Sequence, residues 1–402
     1  MLFFSAMDYH RHSHAFCFLR RLTFWYSMFA RYLFAALGLL LFVGCNSETD
    51  TTPPAASDAG ASGNVVAVVE PVSADPEAAV AAIEAVTKNV RRDSSGSIID
   101  VDFRGMDISD SDLEPLVELP RLRAVRLGGT AVTDAAMKTI GRIGSLEDLD
   151  LRDCGITDDG LAELSELDKL KALRLSGKSG ACSVSDDGMV HVAKLKNLKV
   201  LAIDYLWISE DGIKAIVGLN NLQELYMAET TIGNESVELF ATFPNLKKLR
   251  LARNQIDASG VANLPKIKML EELDLSECAQ LFDDAMGPLA DLKNLKKLNL
   301  WRVNISDAGV KPLQGLTALE YLNLDNTRLS DEGTPYLSGM KDLTFLHLGS
   351  TQITDDSLAA LEGLTKLKDL KVTRTAVTQA GVDKLAKVLP NTKIQLEYIE
   401  GQ

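Results

Sequence analysis

Catalysis needs a nucleophile, an acid–base group or a metal brought together with partners, and this 402-residue chain supplies few of them. Its histidines are His10, His12, His14, His191 and His347, and its cysteines are Cys17, Cys45, Cys154, Cys182 and Cys278. They form no C-x-x-C pair and no zinc spacing. An odd, dispersed cysteine count also argues against a disulfide framework. His10, His12 and His14 make only a weak metal tract. Gly177-Lys178-Ser179 resembles the end of a phosphate loop but lacks that motif's upstream glycine. The pairs Asp158-Asp159, Asp186-Asp187 and Asp355-Asp356 suggest calcium, yet no EF-hand spacing surrounds them. They fall at expected helix N-termini, where the helix dipole favours carboxylates. The reading is therefore a non-enzyme with no metal and no cofactor.

What such residues would be mounted on is set by a repeat. The phrase L-x-x-L-x-L begins at Ile98, Leu122, Leu146, Leu170, Leu198, Leu222, Leu246, Leu270, Leu295, Leu319, Leu343 and Leu367. The spacing is 24 residues except after Leu170 and Leu270, where insertions lengthen it. A period of this length marks a solenoid in which each unit buries its apolar face only by stacking on the next. In the unit from Leu146, the residues Leu146, Leu149 and Leu151 face inward from a short strand, and Asp148, Asp150 and Arg152 face outward. Ile156 follows as a core residue. Thr157 caps a helix whose Leu161, Leu164 and Leu167 turn inward. Ser or Thr fills the capping place at Ser109, Thr133, Thr157, Ser185, Ser209, Ser306, Ser330, Thr354 and Thr378. The predicted fold is α/β: about twelve repeats in a horseshoe, with a parallel sheet on the concave face and helices on the convex face.

One turn position carries Thr130, Cys154, Thr230, Asn254, Cys278, Thr327, Thr351 and Thr375. An inward hydroxyl or amide there is expected to bond turn carbonyls of the neighbouring repeat. Cys154 and Cys278 read as buried thiols in that stack, with reactive or metal-binding cysteines as the sharper alternative. Thr-rich turns with I-T-D-x-G helix starts resemble the leucine-rich repeats (LRRs) of bacterial envelope proteins, and also the cysteine-type repeats of F-box adaptors. The resemblance covers residues 98–396.

The first 45 residues are of another kind. Arg20, Arg21 and Arg31 precede an apolar run from Tyr32 to Gly44, a secretory pattern. Phe42-Val43-Gly44-Cys45 resembles the lipobox of bacterial lipoproteins, with Phe42 where Leu is usual. The resemblance implies lipidation at Cys45, with Met28 as the candidate true start. An uncleaved anchor over 22–43 is the alternative. Residues 46–73 read as a disordered linker, 74–97 as an N-terminal helical cap, 98–390 as the repeats, and 391–402 as a C-terminal capping strand.

The outward positions of the strands are the candidate binding surface. Their central row runs Asp102, Arg126, Asp150, Arg174, Ala202, Tyr226, Arg250, Asp274, Asn299, Asn323, His347, Lys371. The alternating charges at its start read as a ladder of side-by-side neutralisation. Trp301, Tyr321, Asn323, Phe345 and His347 form the leading candidate contact patch, each aromatic taken as an outward strand residue. Tyr205, Trp207, Tyr226 and Arg250 form a second. The bland alternative is scattered aromatics lying on neighbouring apolar atoms. A net charge of −14 disfavours nucleic acid. The functional expectation is a monomeric, non-catalytic, membrane-anchored scaffold of the bacterial cell envelope that binds a protein. The alternative is an intracellular F-box/LRR-like adaptor that recognises substrates for ubiquitination, although one short helix before the repeats is too little for an F-box.

Overall fold

The computed structural model describes residues 74–398. Cys45, Met28, the apolar run and the linker lie outside the described residues. Helix α1 (Glu77–Val86) precedes a single sheet of 14 strands whose spatial order is the chain order. The first strand, β1 (Val90–Arg92), pairs antiparallel with β2 (Ile98–Asp102), and each later pair is parallel. The segment 74–97 is therefore a helix followed by a hairpin strand and not helical throughout. The helix stops at Thr87, whose hydroxyl donates to the Asp102 carbonyl (2.9 Å). Gly96 takes the positive φ of 88° that the hairpin turn requires. At the other end the strand Lys393–Gln395 pairs with Asp369–Lys371.

The three apolar strand positions of every repeat are buried, from Ile98, Val101 and Phe103 to Leu367, Leu370 and Val372. Leu161, Leu164 and Leu167 line the helix side of the same continuous core. Burying one such side chain stabilises by about 1.5–3 kcal/mol, which is why the period tolerates no polar residue there. The helical segments are short. Several are 3-10 turns, as at Asp110–Glu118, Pro288–Asp291 and Thr334–Leu337, where proline removes a backbone donor. Thr133, Thr157, Ser185, Ser209, Ser306, Thr354 and Thr378 accept the capping bond expected of them. Ser109 makes a capping box with Asp112. Asp257 caps as well, by accepting from Ser259 N. The Ser/Thr pattern alone passes over it.

The turn threonines behave differently from expectation. Thr130, Thr327, Thr351 and Thr375 each donate to the carbonyl three residues back in their own repeat (2.6–2.7 Å). Thr230 does reach the next repeat, donating to Asn254 Oδ1 (3.0 Å). Asn254 and the two thiols reach back to the preceding repeat. Asn254 Nδ2 bonds Met227 O (2.8 Å), Cys154 Sγ bonds Leu127 O (3.1 Å) and Cys278 Sγ bonds Leu251 O (3.2 Å). Both cysteines are buried, and burial pushes their thiols up, Cys278 to about 12. That suits a packing role.

The turn after most strands also demands a left-handed residue. Gly105 and Gly129 supply it early, but Asp153, Tyr205, Glu229, Arg253, Glu277, Arg302, Asn326, Ser350 and Arg374 hold φ between 52° and 62°. Each non-glycine residue there costs about 1–2 kcal/mol. The fold fixes it by bonding, as when Glu229 N donates to Ala252 O (2.8 Å) and Ser350 N to Thr373 O (2.8 Å).

The first helical residue of one repeat joins it to the next. Asp158 accepts from the backbone N (2.8 Å) and hydroxyl (2.7 Å) of Ser185, the following cap. Asp110, Asp134, Asp186, Asp283, Asp307, Asp331 and Asp355 do the same to Thr133, Thr157, Ser209, Ser306, Ser330, Thr354 and Thr378. The helix dipole is thus the smaller part of why aspartate stands there. This joint explains the glycine of I-T-D-x-G. A Cβ on Gly160, Gly188, Gly212, Gly309, Gly333 or Gly381 would overlap the carboxylate arriving from the preceding repeat. Gly381 isolates the effect, because Asp355 alone supplies all three nearest atoms. Gly381→Ala should destabilise by about 1–3 kcal/mol through overpacking. In an Asp355→Ala background the same change should become neutral or stabilising by up to about 1 kcal/mol, the intrinsic preference of alanine in a helix. Urea unfolding of the four proteins measures this, and an unchanged sign in the second background would remove the joint as the reason for the glycine.

Candidate functional site

Register fixes which outward residues are neighbours. The pairings Asp102 with Arg126, Tyr226 with Arg250, Asn323 with His347 and His347 with Lys371 follow the row read from the sequence. The ion pairs at the start of that row do not, although Arg250 meets its register partner Asp274 at 3.5 Å. Arg126 pairs with Asp100 and, at 3.9 Å, with Asp148, while Arg174 pairs with Asp148. Asp102 binds Arg104 (2.6 Å) and Asp150 binds Arg152 (2.6 Å), each in the turn that follows its strand. An arginine is long enough to reach diagonally, so side-by-side neutralisation at the start of the central row gives way to diagonal pairs and pairs within one repeat.

The later repeats enclose a hollow of about 500 Å³ on the sheet face. Trp301, Tyr321, Asn323, Phe345 and His347 all line it, together with Arg302, Asp325, Lys371, Arg374, Gln395 and Tyr398. Tyr321 and Phe345 are register partners, and their rings stack at 4.5 Å with an interplanar angle of 4°. The His347 ring stands edge-on to Phe345 at 6.3 Å and 80°. Trp301 departs from expectation. Its strand ends at Asn299, so the tryptophan sits in the turn beyond, in the row of Asp325, and not beside Tyr321. It reaches the same hollow from that side, with the Arg302 guanidinium 5.6 Å from its ring.

Polar groups converge on Gly349. A Cβ there would meet His347 Nε2 (2.8 Å), Thr373 Oγ1 (2.8 Å) and Asp325 Oδ1 (2.9 Å). The missing side chain leaves these three atoms open to the hollow. His347 and Asp325 lie 3.9 Å apart, too far for a hydrogen bond. Asn323 is buried and braces the site by accepting from Asp325 N (3.0 Å). Among the described residues no group of three or more His, Cys, Asp or Glu could hold a metal ion. The arrangement can grip apolar and hydrogen-bonding groups together.

The second group is less coherent. Tyr226 donates to Glu224 (2.7 Å), and Arg250 lies between Asp204 (3.6 Å) and Asp274 (3.5 Å). Tyr205 occupies the left-handed turn, with Lys178 at 5.9 Å from its ring. Trp207 is 63% exposed and lies beyond the turn, where its backbone bridges Ser185. Only Tyr226 and Arg250 are strand neighbours.

A family described as leucine rich repeat matches residues 293–353, and another of that description matches 145–165 and 244–264. The fold is a leucine-rich repeat solenoid. An internalin (InlF) of Listeria monocytogenes resembles it with a TM-score of 0.57 at 18% identity, over 82% of this chain and 96% of that one. The Rad7–Elc1 complex of yeast resembles it with a TM-score of 0.55 at 17% identity, over 73% and 82%. At these identities the likeness concerns the fold alone. No curated protein sequence matches. Among the described residues no helix of this LRR unit is long and apolar enough to cross a membrane.

Sequence reasoning passed over Arg302, Arg374, Tyr398 and Gly349. Arg302 and Arg374 occupy the left-handed turn place of their repeats and Tyr398 follows the last strand, positions that a strand-only reading skips.

Burial holds the His347 imidazole below its ordinary pKa; Asp325 opposes this and Lys371 adds to it. The neutral ring is favoured in the fold, while the unfolded chain takes up a proton near pH 6.5. The contribution of His347 is therefore fully present above about pH 6.5 and is lost as the pH falls toward its depressed folded value. Wild type should lose more stability than His347→Asn between about pH 7.5 and about pH 5. Parallel pH slopes in urea unfolding of the two proteins would contradict this assignment.

Proposed function

We propose that the chain is a monomeric, non-catalytic binding scaffold of the bacterial cell envelope that holds a protein partner at the hollow on its sheet face. The observation that carries the reading is the gathering of Trp301, Tyr321 and Phe345 around one hollow beside the open polar group at Gly349. Half-buried aromatics next to unfilled hydrogen-bonding groups are typical contact anchors. Strands in fixed register order them before binding, so little entropy is lost when a partner arrives. Leucine-rich repeat proteins generally mediate protein–protein interaction, and their sheet face is the usual platform. The paired carboxylates along the earlier strands disfavour a polyphosphate.

Placing a photo-crosslinking residue at Asn326, on the hollow, should give a discrete adduct in intact cells. The same residue at Lys384, on the helix side, should not. The adduct should disappear in a Trp301→Ala, Phe345→Ala double variant. Equal adducts from both places, or an adduct indifferent to the double variant, would move the binding surface elsewhere.

The envelope assignment rests on the sequence before the repeats, because one solved neighbour is bacterial and another is from yeast. Phe42-Val43-Gly44-Cys45 after an apolar run supports export with acylation of Cys45. A fatty-acid label should mark the wild type and be lost in Cys45→Ser. Export of unlabelled wild type would leave the uncleaved 22–43 anchor as the means of attachment.

A further inference from the structure

The outward face distributes its charges unevenly. From β2 to the strand Lys297–Asn299, most arginines and lysines of the strand and turn rows sit against carboxylates, Lys178 over the Tyr205 ring being an exception. Arg126 has Asp100, Arg174 has Asp148, Lys248 has Glu224 (3.0 Å) and Arg253 has Glu229 (3.0 Å) and Glu277 (2.8 Å). Lys297 has Glu272 (3.1 Å) and Arg302 has Glu277 (3.1 Å). The pattern then stops. Among the described residues neither Lys371 nor Arg374 has a carboxylate within ion-pair distance, and both line the hollow. Lys371 Nζ lies 5.9 Å from the Phe345 ring, and the Arg374 guanidinium lies 3.7 Å from the Tyr398 ring. Aromatic rings orient these two cations and leave their N–H donors unspent. Asp325 is the one carboxylate among the lining residues, and it faces the Trp301 and His347 side. In a chain of net charge −14, two uncompensated cations at an aromatic hollow are a local reversal of sign.

We infer that the hollow takes an acidic segment of the partner protein, with an aromatic or aliphatic side chain seated against Trp301 and the Tyr321–Phe345 pair and an adjacent carboxylate held by Lys371 and Arg374. This rests on the reading of the hollow as the protein-binding site and adds the chemistry of what enters it. Charge complementarity selects the occupant. A basic segment would meet Lys371 and Arg374 unscreened, and a wholly apolar one would leave their charge without a counterion as water is excluded. Arginine and lysine both bind carboxylates through charge-assisted hydrogen bonds, the planar guanidinium with the greater directional demand.

A random-peptide phage library panned on the full chain supplies the probe. The selected peptides are then resynthesised with each Asp and Glu replaced by Asn and Gln. The expected result is enrichment of sequences that place Asp or Glu next to an aromatic or aliphatic residue. Affinity should fall about tenfold or more on amide replacement, and by a similar factor for Lys371→Gln, Arg374→Gln in the protein, while Lys384→Gln changes nothing. Binding should also weaken as salt rises. Selected peptides that are neutral or basic, or that bind the charge variant as well as the wild type yet are lost in Trp301→Ala, Phe345→Ala, would overturn the acidic occupant and leave the hollow as the protein site. Peptides indifferent to both double variants, or none selected, would overturn both. Unchanged urea midpoints for the variants separate loss of binding from loss of fold.

Discussion

A single repeat of this chain cannot bury its own apolar face, and everything else follows from that constraint. Three strand residues and the inward side of a short helix make a wedge with two open sides. Stacking covers both, but only if each repeat advances without slipping along its neighbour. Parallel pairing sets that register on the sheet side. On the helix side the carboxylate of the first helical residue locks onto the capping residue of the next repeat, as Asp186 does with Ser209 and Asp307 with Ser330. A slip by one residue would turn Leu249 outward and Arg250 into the core, so the two sides are held to the same advance.

The lock is not uniform. Glu210 stands opposite Gly233, which has no hydroxyl to offer, and Ser236 then takes the place of the usual glycine with its buried hydroxyl unpartnered. Ala258 stands opposite Phe282, where neither side chain can take part, and Ala285 fills the glycine place. Glycine fills that place at most joints that admit an aspartate or asparagine, and a side chain returns at these two; Ala136 beside the Asp110 joint and Ser357, which donates to Asp331, are further exceptions. Stability in a stacked array is a sum of units and of interfaces between neighbours. Local opening should therefore favour the joints at Gly233 and Phe282 over those on either side.

Much of this was legible in the residues, and the limits have physical causes. Leucine spacing specified the strands, their inward faces and the row of outward neighbours, because a period of two within strands and 24 between them leaves no freedom. The aromatic gathering followed from the same arithmetic, with Trp301 read as a strand residue although its strand of three residues ends at Asn299 and leaves it in the turn. What the pattern could not carry was reach. Most turn threonines bond their own turn while asparagine and cysteine reach back to the preceding one, and the arginines of the early strands pair diagonally past their direct neighbours. Each outcome depends on side-chain length against a fixed spacing of about 4.8 Å. The segment 88–97 turned into a hairpin strand because the first repeat has an open sheet edge, and an unpaired edge is satisfied by backbone as readily as by a helix. Arg374 and Tyr398 were missed for a simpler reason. They belong to the turn row, and turns were read for their inward, stacking residues and not for what they present outward.

The same geometry separates folding from recognition. Inward positions are held by the core, and the joints by short polar side chains whose size is fixed by the gap. Outward strand and turn positions answer to neither requirement. The left-handed turn place shows how loose that condition is, since it accepts Tyr205, Glu229, Arg302 and Ser350 alike once the backbone bond to the next repeat is made. An array of this kind can therefore change the chemistry of its face repeat by repeat at little cost in stability. In the earlier repeats the face is spent on ion pairs that neutralise each other and offer a solvated surface. In the last repeats aromatic rings replace carboxylates beside the cations, and Gly349 removes a side chain where polar atoms meet. Surface that is neutralised from within has little left for a partner, whereas the hollow between Trp301 and Tyr398 keeps its hydrogen-bonding and charge capacity unspent.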